Sequence, residues 1–324
     1  MSVVIVAPGQ GSQTPGFLQP WLAEPRFAEH LGALSEASGV DLVKHGTVSD
    51  ADTIRDTAVA QPLIVAASIM SLAAVLDEGS GSGWKSKTAG IAGHSVGEVA
   101  AAAGAGILSE QDAMTLVTAR GSAMASAAAQ VATGMSAVIG GDEAELLAKL
   151  ETLGLAPANY NGGGQIVVAG ELPALAALAA DPPAGARVIP LQVAGAFHTR
   201  YMQPAVETLR TVAAALTVND PDWTIWTNHD GTIVTSGTAF IDLLVGQVAS
   251  PVRWDLDMAA LAAAGVTGLI ELAPAGALVG LAKRGLKGLP TVAVKTPDDL
   301  AAAHELLDAV QDADGQDADN GVNE

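Results

Sequence analysis

The chain has 324 residues, of which 49% are hydrophobic and 15% charged, so it is long and apolar enough to bury a sizeable core. Its formal net charge of −20 argues against nucleic acid as a general partner, and the lack of cysteine excludes disulfides, thiolate metal sites and a cysteine nucleophile. We expect no signal peptide, and the longest apolar run, 62–76, is short for a membrane span. These features predict a cytoplasmic protein that binds neither nucleic acid nor membrane.

The first third of the chain predicts an α/β unit. Ser2–Ala7 is mostly valine and isoleucine, as in a strand buried on both faces, and the glycine-punctuated loop PGQGSQ follows it. A helix is predicted to open at Gln61-Pro62 and to run to about Leu76. A short strand at 88–92, a tight turn and a helix from Val96 come next. Strand, turn and helix in that order indicate an α/β fold with a parallel sheet.

From about residue 130 the pattern changes to short strands and helices in the order β-α-β-β-α-β, which is the ferredoxin-like split unit. We therefore predict a small domain at 130–195, inserted into a larger domain made of 1–129 and 196–311. The larger domain resumes with predicted helices at 201–215, 240–248, 256–264 and 278–287, and with predicted strands at 222–227 and 266–272. The last residues, 312–324, carry five acids and no bases and predict a disordered tail.

The turn Gly93-His94-Ser95-Val96-Gly97 has the Gly-x-Ser-x-Gly pattern of a nucleophile elbow. A turn this tight leaves no room for side chains on its flanks, which explains the two glycines. The N-terminus of the following helix supplies free N–H groups, so the Val96 N–H could bind an oxyanion. The five-residue pattern alone is weak, and a plain tight turn is the alternative.

A serine nucleophile needs a base, and the chain has six histidines. His94 adjoins the serine, so its side chain should point elsewhere and pack at the turn. His198 follows the last strand of the inserted domain, where it could face a cleft between the domains. On sequence alone, a single histidine is more often a surface or a hydrogen-bonded core residue.

Arg120 lies in the middle of an apolar helix face that also carries Leu116, Val117 and Met124. Burial of an unpaired guanidinium is costly, so this side chain needs an anionic partner. One interpretation is a structural ion pair with an internal carboxylate. The other is a ligand carboxylate or phosphate bound by both arms of the guanidinium.

Several motifs occur together in one order: PGQGSQ, AQP, GHSVGE, an arginine 25 residues after the serine, NYNGGGQIVVAG, GAFHT and ASPVRW. With them the chain, from about residue 3 to 310, resembles the malonyl-CoA:acyl-carrier-protein transacylase family (FabD-type acyltransferases). It is also similar to the acyltransferase domains of polyketide synthases. The resemblance implies an α/β-hydrolase-like large domain with a parallel sheet, an inserted ferredoxin-like small domain, and an active site between them.

The resemblance also implies roles for particular residues. Ser95 would be the nucleophile and His198 its base, oriented by the backbone carbonyl of Gln247. Gln10 and the Val96 N–H would form the oxyanion hole, and Arg120 would hold the malonyl carboxylate. The remaining matches are to positions that line the acyl pocket: Asn161, Met124 and Phe197.

The implied reaction is a ping-pong transfer of malonyl from malonyl-CoA to the phosphopantetheine thiol of acyl carrier protein, through a malonyl-serine ester. Family members that use malonyl tend to have a branched apolar residue after the serine and Phe before the histidine, so by this resemblance Val96 and Phe197 favour malonyl over methylmalonyl. No metal or cofactor is implied, since CoA is a substrate and phosphopantetheine belongs to the partner. A serine esterase or thioesterase with the same elbow is the alternative, although an esterase has no need of a buried arginine. A non-catalytic relative is the second alternative.

Acyl carrier proteins are usually acidic, and so is this chain, so attraction between them has to be local. Lys283, Arg284 and Lys287 form the densest positive cluster of the sequence and are our candidate docking patch. A solvated helix face without function is the alternative. We expect the protein to be a monomer.

Overall fold

The computed structural model describes residues 2–77 and 83–319. In chain order the strands are β1 (Ser2–Ala7), β2 (Thr88–Gly93), β3 (Thr133–Ile139), β4 (Ala156–Gly162), β5 (Gln165–Glu171), β6 (Arg187–Pro190), β7 (Val266–Glu271) and β8 (Thr291–Ala293). The α-helices are α1 (Gln19–Leu22), α2 (Pro25–Ser38), α3 (Leu42–Thr47), α4 (Thr57–Val75), α5 (Gly97–Gly104), α6 (Glu110–Ala128), α7 (Glu143–Leu153), α8 (Leu172–Ala180), α9 (Gln203–Ala213), α10 (Gly237–Gln247), α11 (Trp254–Ala263), α12 (Ala277–Gly285) and α13 (Leu300–Asp319).

The larger sheet is parallel, in the order β2-β1-β7-β8. At its centre Ile5 of β1 lies between Ile91 of β2 and Ile270 of β7. Val3 and Ile5 of β1 pack into one apolar cluster, and Val4 and Val6 pack into a second. Helices therefore cover both faces of this sheet, which explains why β1 is apolar at every position and confirms the predicted α/β class.

The smaller sheet is antiparallel, in the order β4-β5-β3-β6, and it occupies 133–190 between α6 and the segment that carries His198. Its strand and helix order is the predicted β-α-β-β-α-β, and α7 and α8 pack with it around Val138, Leu146 and Val168. Backbone hydrogen bonds from Tyr160 to Val252 and from Val252 to Ala158 join β4 to the large domain. One wall of the small domain is thus fixed beside the end of the large sheet.

Two predicted elements were wrong. α4 begins at Thr57 rather than at Gln61, because the Asp56 side chain caps it by accepting from the Ala58 N–H, so Pro62 lies inside the helix. The strand predicted at 222–227 is not formed. Only isolated bridges occur there, Ile91 with Ile225 and Trp226 with Ile233, because a turn at 228–231 ends the extended stretch.

The last helix, α13, runs to Asp319 and so enters the segment 312–324 for which we predicted disorder. A helix that is already nucleated extends at little cost, which lets a polar segment continue it. Residues 320–324 lie outside the described residues. By length and composition α4 could also cross a membrane, but most of it is buried inside the protein, as in a core helix.

Candidate active site

The turn between β2 and α5 holds Ser95 at the carboxyl end of the parallel sheet. Ser95 has a φ of 54°, in the left-handed region that side chains rarely adopt. A Cβ atom on Gly93 would lie 2.1 Å from the carbonyl carbon of Gly97, and one on Gly97 would lie 2.2 Å from the carbonyl oxygen of Ala7. Both flanks of the serine therefore require glycine, which is the physical content of the sequence pattern.

His198 meets Ser95 across the cleft, with its Nε2 atom 2.7 Å from the serine Oγ. Its backbone also has a left-handed φ, 61°, and its N–H donates to the carbonyl of Val248 over 3.0 Å. Nδ1 lies 2.8 Å from the carbonyl oxygen of Gln247. A carbonyl only accepts, so Nδ1 carries the proton and Nε2 is left to accept from the serine hydroxyl.

The imidazole of His198 is neutral over the physiological pH range. Burial, and then the positive charge of Arg120, lower the pKa of His198 to about 3, against the hydrogen bond to Gln247. A neutral imidazole next to a serine hydroxyl is the form that can accept its proton.

Arg120 is 1% exposed and lies directly behind Ser95. Its Nη1 donates to Oε1 of Gln61 over 2.8 Å, and its Nη2 donates to Oε1 of Gln247 over 2.8 Å and to the Ser95 Oγ over 3.4 Å. Its Nε has no partner among the described residues. All of these contacts are to neutral groups, so the described part of the chain supplies no direct ion pair of the kind that one interpretation of Arg120 required.

Beneath the elbow lies a buried polar network centred on Asn228. Its Oδ1 accepts from the Ser95 N–H over 2.7 Å, and its Nδ2 donates to the carbonyl of Gly93 and to Oδ2 of Asp257, each over 2.7 Å. Its own N–H donates to Oε1 of Glu98 over 2.6 Å. Asn228 therefore holds Ser95 and Gly93 with a single side chain.

Sequence reasoning missed four members of this site: Gln61, Glu98, Asn228 and Asp257. Glu98 lies within GHSVGE, and Gln61 lies within AQP, yet neither motif by itself assigns a contact. An acid on an otherwise apolar helix, as at Glu98 and Asp257, is the one signal that could have drawn attention to them. Asn228 gives no such signal, because it is the first residue of an ordinary turn sequence.

A cavity of about 400 Å³ opens in front of Ser95 and His198, between the two domains. Gln10 and His94 line it from the large domain, and Asn161 and Phe197 line it near the small domain. Oδ1 of Asn161 lies 2.9 Å from Nε2 of His94, which also packs edge-on against the Trp254 ring. The elbow is thereby tied to the small domain, and His94 has the packing role that we predicted together with a place in the cavity wall.

Some predicted residues lie behind the cavity rather than in its wall. Arg120 and Gln247 are in the layer behind Ser95, and Val96 is buried at the N-terminus of α5. We had expected Met124 to line the acyl pocket, but it is not among the residues that line the cavity. Its sulfur instead accepts from Nε2 of Gln61, the amide that also holds Arg120. Across 2–77 and 83–319, no cluster of three or more His, Asp or Glu side chains is arranged to hold a metal ion.

A serine on a strand–turn–helix elbow, hydrogen-bonded to a neutral histidine and close to a buried arginine, is the arrangement typical of α/β enzymes that use a serine nucleophile. Residues 4–309 match the family described as the acyl transferase domain. A malonyl CoA-acyl carrier protein transacylase of Mycobacterium tuberculosis is 51% identical over 298 residues, which cover 92% of this chain and 98% of that protein.

Solved structures agree with this assignment. The crystal structure of MCAT from Mycobacterium tuberculosis is 49% identical and covers 94% of this chain and 99% of its own, with a TM-score of 0.89. A malonyl-transacylase in complex with a type II PKS acyl-carrier protein, PlMCAT:AntF, is 30% identical, with a TM-score of 0.86 and coverage of 94% and 99%. The chain belongs to the acyl transferase family and, within it, to the malonyl-CoA–acyl carrier protein transacylases.

Proposed function

We propose that this enzyme transfers malonyl from malonyl-CoA to the phosphopantetheine thiol of acyl carrier protein, through a malonyl ester on Ser95. The observation that carries the proposal is the arrangement of three groups: the Ser95 hydroxyl 2.7 Å from a neutral His198 and 3.4 Å from Arg120. The name of the relative that is 51% identical supports the same substrates. The reaction serves cytoplasmic fatty-acid synthesis, and the carrier-protein complex of a related enzyme makes polyketide synthesis the second candidate.

In the first half-reaction Nε2 of His198 removes the proton from Ser95 as Oγ attacks the thioester carbon. The tetrahedral intermediate then collapses, the C–S bond breaks, and the proton passes from His198 to the CoA sulfur. In the second half-reaction the carrier thiol loses its proton to His198 and attacks the ester. Ser95 then recovers a proton from His198, so one histidine serves both directions and needs no metal or cofactor.

The oxyanion of each tetrahedral intermediate needs N–H donors near Ser95. The N–H of Ser95 itself is held by Asn228, which leaves the next amide, that of Val96, at the positive end of α5. The loop after β1 brings Gln10 to the same cavity. These two residues are our proposed oxyanion hole, and such donors typically contribute about 3 kcal/mol each to lowering the barrier.

Arg120 is the proposed receptor for the malonyl carboxylate. A malonyl group on Ser95 carries its carboxylate two bonds beyond the ester carbon. The Arg120 guanidinium lies 3.4 Å from the Ser95 Oγ to which that malonyl group would be attached. The carboxylate would replace neutral amide oxygens with a charged acceptor, which strengthens both hydrogen bonds. An acetyl group offers no such acceptor, so the site favours malonyl.

The docking patch that we predicted lies on the rim of this cavity. α12 lines the cavity through Leu278, Leu281 and Arg284, and both Lys283 and Lys287 are exposed. Arg284 also donates to the side chain of Gln165 in the small domain. We propose that an acidic carrier protein docks on Lys283, Arg284 and Lys287 and passes its arm into the cavity, with the enzyme acting as a monomer.

The proposal is tested with radiolabelled malonyl-CoA and with intact-protein mass spectrometry. We expect a malonyl adduct on the wild type, its loss in Ser95→Ala, and transfer of the label when holo-carrier protein is added. Rapid release of free malonate without transfer would instead assign the esterase alternative. Full acylation of Ser95→Ala would show that another residue is the nucleophile.

A further inference from the structure

Glu98 is a buried carboxylate that the mechanism above does not use. It lies in the first turn of α5, is 1% exposed, and has both oxygens occupied by N–H donors. Oε1 accepts from the Asn228 N–H over 2.6 Å, and Oε2 accepts from Nε2 of Gln247 over 2.5 Å. Glu98 thus contacts both the residue that clamps Ser95 and the residue that binds Arg120.

Glu98 is also the acid that balances the charge of Arg120. The amide of Gln247 accepts from Arg120 through Oε1 and donates to Glu98 through Nε2, so the two charges face each other across one side chain. The other acid of the network, Asp257, is 0% exposed, and burial followed by the charge of Glu98 raises its pKa well above the usual value. Burial therefore disfavours the ionised form of Asp257, and where Glu98 is ionised it is the acid that balances the guanidinium.

A second cavity, of about 240 Å³, is lined in part by Glu98 and shares no lining residue with the catalytic cavity. Thr227, Asn228 and Gln247 line its inner end, and Asp242 and His229 line it further out. Water in this cavity can exchange a proton with Glu98 without passing Ser95. The hydroxyl of Thr227 can act as donor or acceptor, so it suits either protonation state of the carboxyl group.

A malonyl carboxylate at Arg120 would place a second negative charge in this desolvated region. One guanidinium cannot balance two carboxylates at low dielectric, and the cheaper outcome is protonation of one of them. The substrate carboxylate contacts the guanidinium directly, whereas Glu98 acts through Gln247 and has its own route to water. Glu98 is therefore the group that gives up its charge.

We propose that Glu98 is a positioning residue and the exchangeable counter-ion of Arg120: at alkaline pH, where Glu98 is ionised, it takes up one proton from the second cavity when a malonyl carboxylate binds and returns it when malonyl leaves. This inference rests on the proposed function, because it takes Arg120 as the carboxylate receptor. No bond to the substrate is made or broken in the exchange: one proton moves from water to a Glu98 oxygen as one carboxylate enters. A neutral acyl group leaves the protonation state of Glu98 unchanged.

The exchange gives malonyl binding its own pH dependence. Burial raises the pKa of Glu98 to about 8, while the Asn228 N–H, Thr227 and the charge of Arg120 act in the opposite direction. Above that pH a proton must be taken up for malonyl to bind, so its KM should rise by about tenfold per pH unit. The other titratable groups that face Glu98 are Arg120 from α6, Asp257 from α11, and His229 and Asp242 across the cavity.

The direct test is calorimetry of ligand binding to Ser95→Ala, a variant that cannot be acylated, at pH 9 in buffers of different ionisation enthalpy. Malonyl-CoA should bind with uptake of about one proton, falling towards zero at pH 7, where Glu98 is already protonated. Acetyl-CoA shares the CoA phosphates and is the matched control, for which no uptake is expected. Equal uptake for the two ligands, or none for malonyl-CoA, would overturn the inference.

Glu98→Gln in the same background identifies the group that takes up the proton. The proton uptake should disappear in this variant and persist in Glu110→Gln, a change at an exposed acid on α6. Uptake that persists in Glu98→Gln would assign the proton to another group and overturn the inference. A further outcome is that Arg120→Ala abolishes the preference for malonyl while Ser95→Ala shows no proton uptake on binding malonyl-CoA. In that case the proposed function stands and the role of Glu98 alone fails.

Discussion

The Nδ1 atom of His198 donates to the backbone carbonyl of Gln247 over 2.8 Å, in the position where many serine enzymes place a carboxylate. A carbonyl fixes the tautomer and the ring orientation, yet it provides no negative charge to stabilise an imidazolium. Burial and the nearby Arg120 lower the pKa of His198 despite the opposing effect of the hydrogen bond to Gln247. His198 is therefore oriented while it stays neutral, as the proposed base should be before substrate arrives.

Acylation of Ser95 should show no acid limb near pH 6.5, the ordinary pKa of histidine. His198 has its pKa lowered to about 3, so it stays neutral, and competent as a base, at every pH above that value. Single-turnover acylation with acetyl-CoA, measured from pH 5 to 7, should give a rate that changes less than about twofold. A tenfold fall centred between pH 6 and 7 would show that His198 titrates as an ordinary histidine.

Asn228→Ala should slow acylation by both malonyl-CoA and acetyl-CoA by the same factor, roughly 10- to 100-fold. The side chain holds the Ser95 N–H and the Gly93 carbonyl, and neither contact involves the acyl group. The buried groups that lose their partner should also lower the free energy of unfolding by about 1–3 kcal/mol. Stopped-flow acylation and urea unfolding measure the two effects, with Asn219→Ala, an exposed asparagine, as the control. Loss of malonyl transfer alone would place Asn228 in acyl recognition instead.

Charge reversal on α12 should weaken carrier-protein binding selectively. Lys283→Glu/Arg284→Glu should raise the KM for carrier protein by about tenfold and leave the KM for malonyl-CoA within about twofold, because exposed charges act mainly on association with a charged partner. Lys44→Glu/Arg210→Glu makes the same charge change at exposed sites that do not line the cavity and should alter neither constant. Equal changes in both constants, or in neither, would count against docking at this patch.

The sequence was sufficient for the parts of the molecule that depend on local pattern. The elbow was recognisable because two glycines and one serine are dictated by a turn in which Cβ atoms would collide. The inserted domain followed from the alternation of short strands and helices, which predicted the observed order of its elements. Arg120 stood out because a charge on an apolar helix face requires an explanation wherever the helix packs.

Contacts between distant segments could not be predicted in this way. Asn228 meets Glu98 and Ser95 from more than 100 residues away, and only the path of the chain beside β2 brings them together. The strand prediction for 222–227 was wrong for the same reason. Its sequence fitted an extended strand, but its neighbours in the fold allowed only a single bridge to β2. The partner of Arg120 also depended on tertiary packing: two glutamine amides occupy the place where sequence reasoning allowed an internal carboxylate.

The most direct measurement is kcat/KM for malonyl-CoA and for acetyl-CoA, with wild type, Arg120→Ala and Arg120→Lys. Arg120→Ala should lower the malonyl value by roughly 100-fold or more, because breaking a buried charge pair costs about 3–5 kcal/mol. It should leave the acetyl value unchanged or raise it, and lysine should rescue malonyl only in part, since it lacks the planar fork. If Arg120→Ala lowered malonyl and acetyl transfer by the same factor, Arg120 would have a structural role, and the account of malonyl recognition would be contradicted.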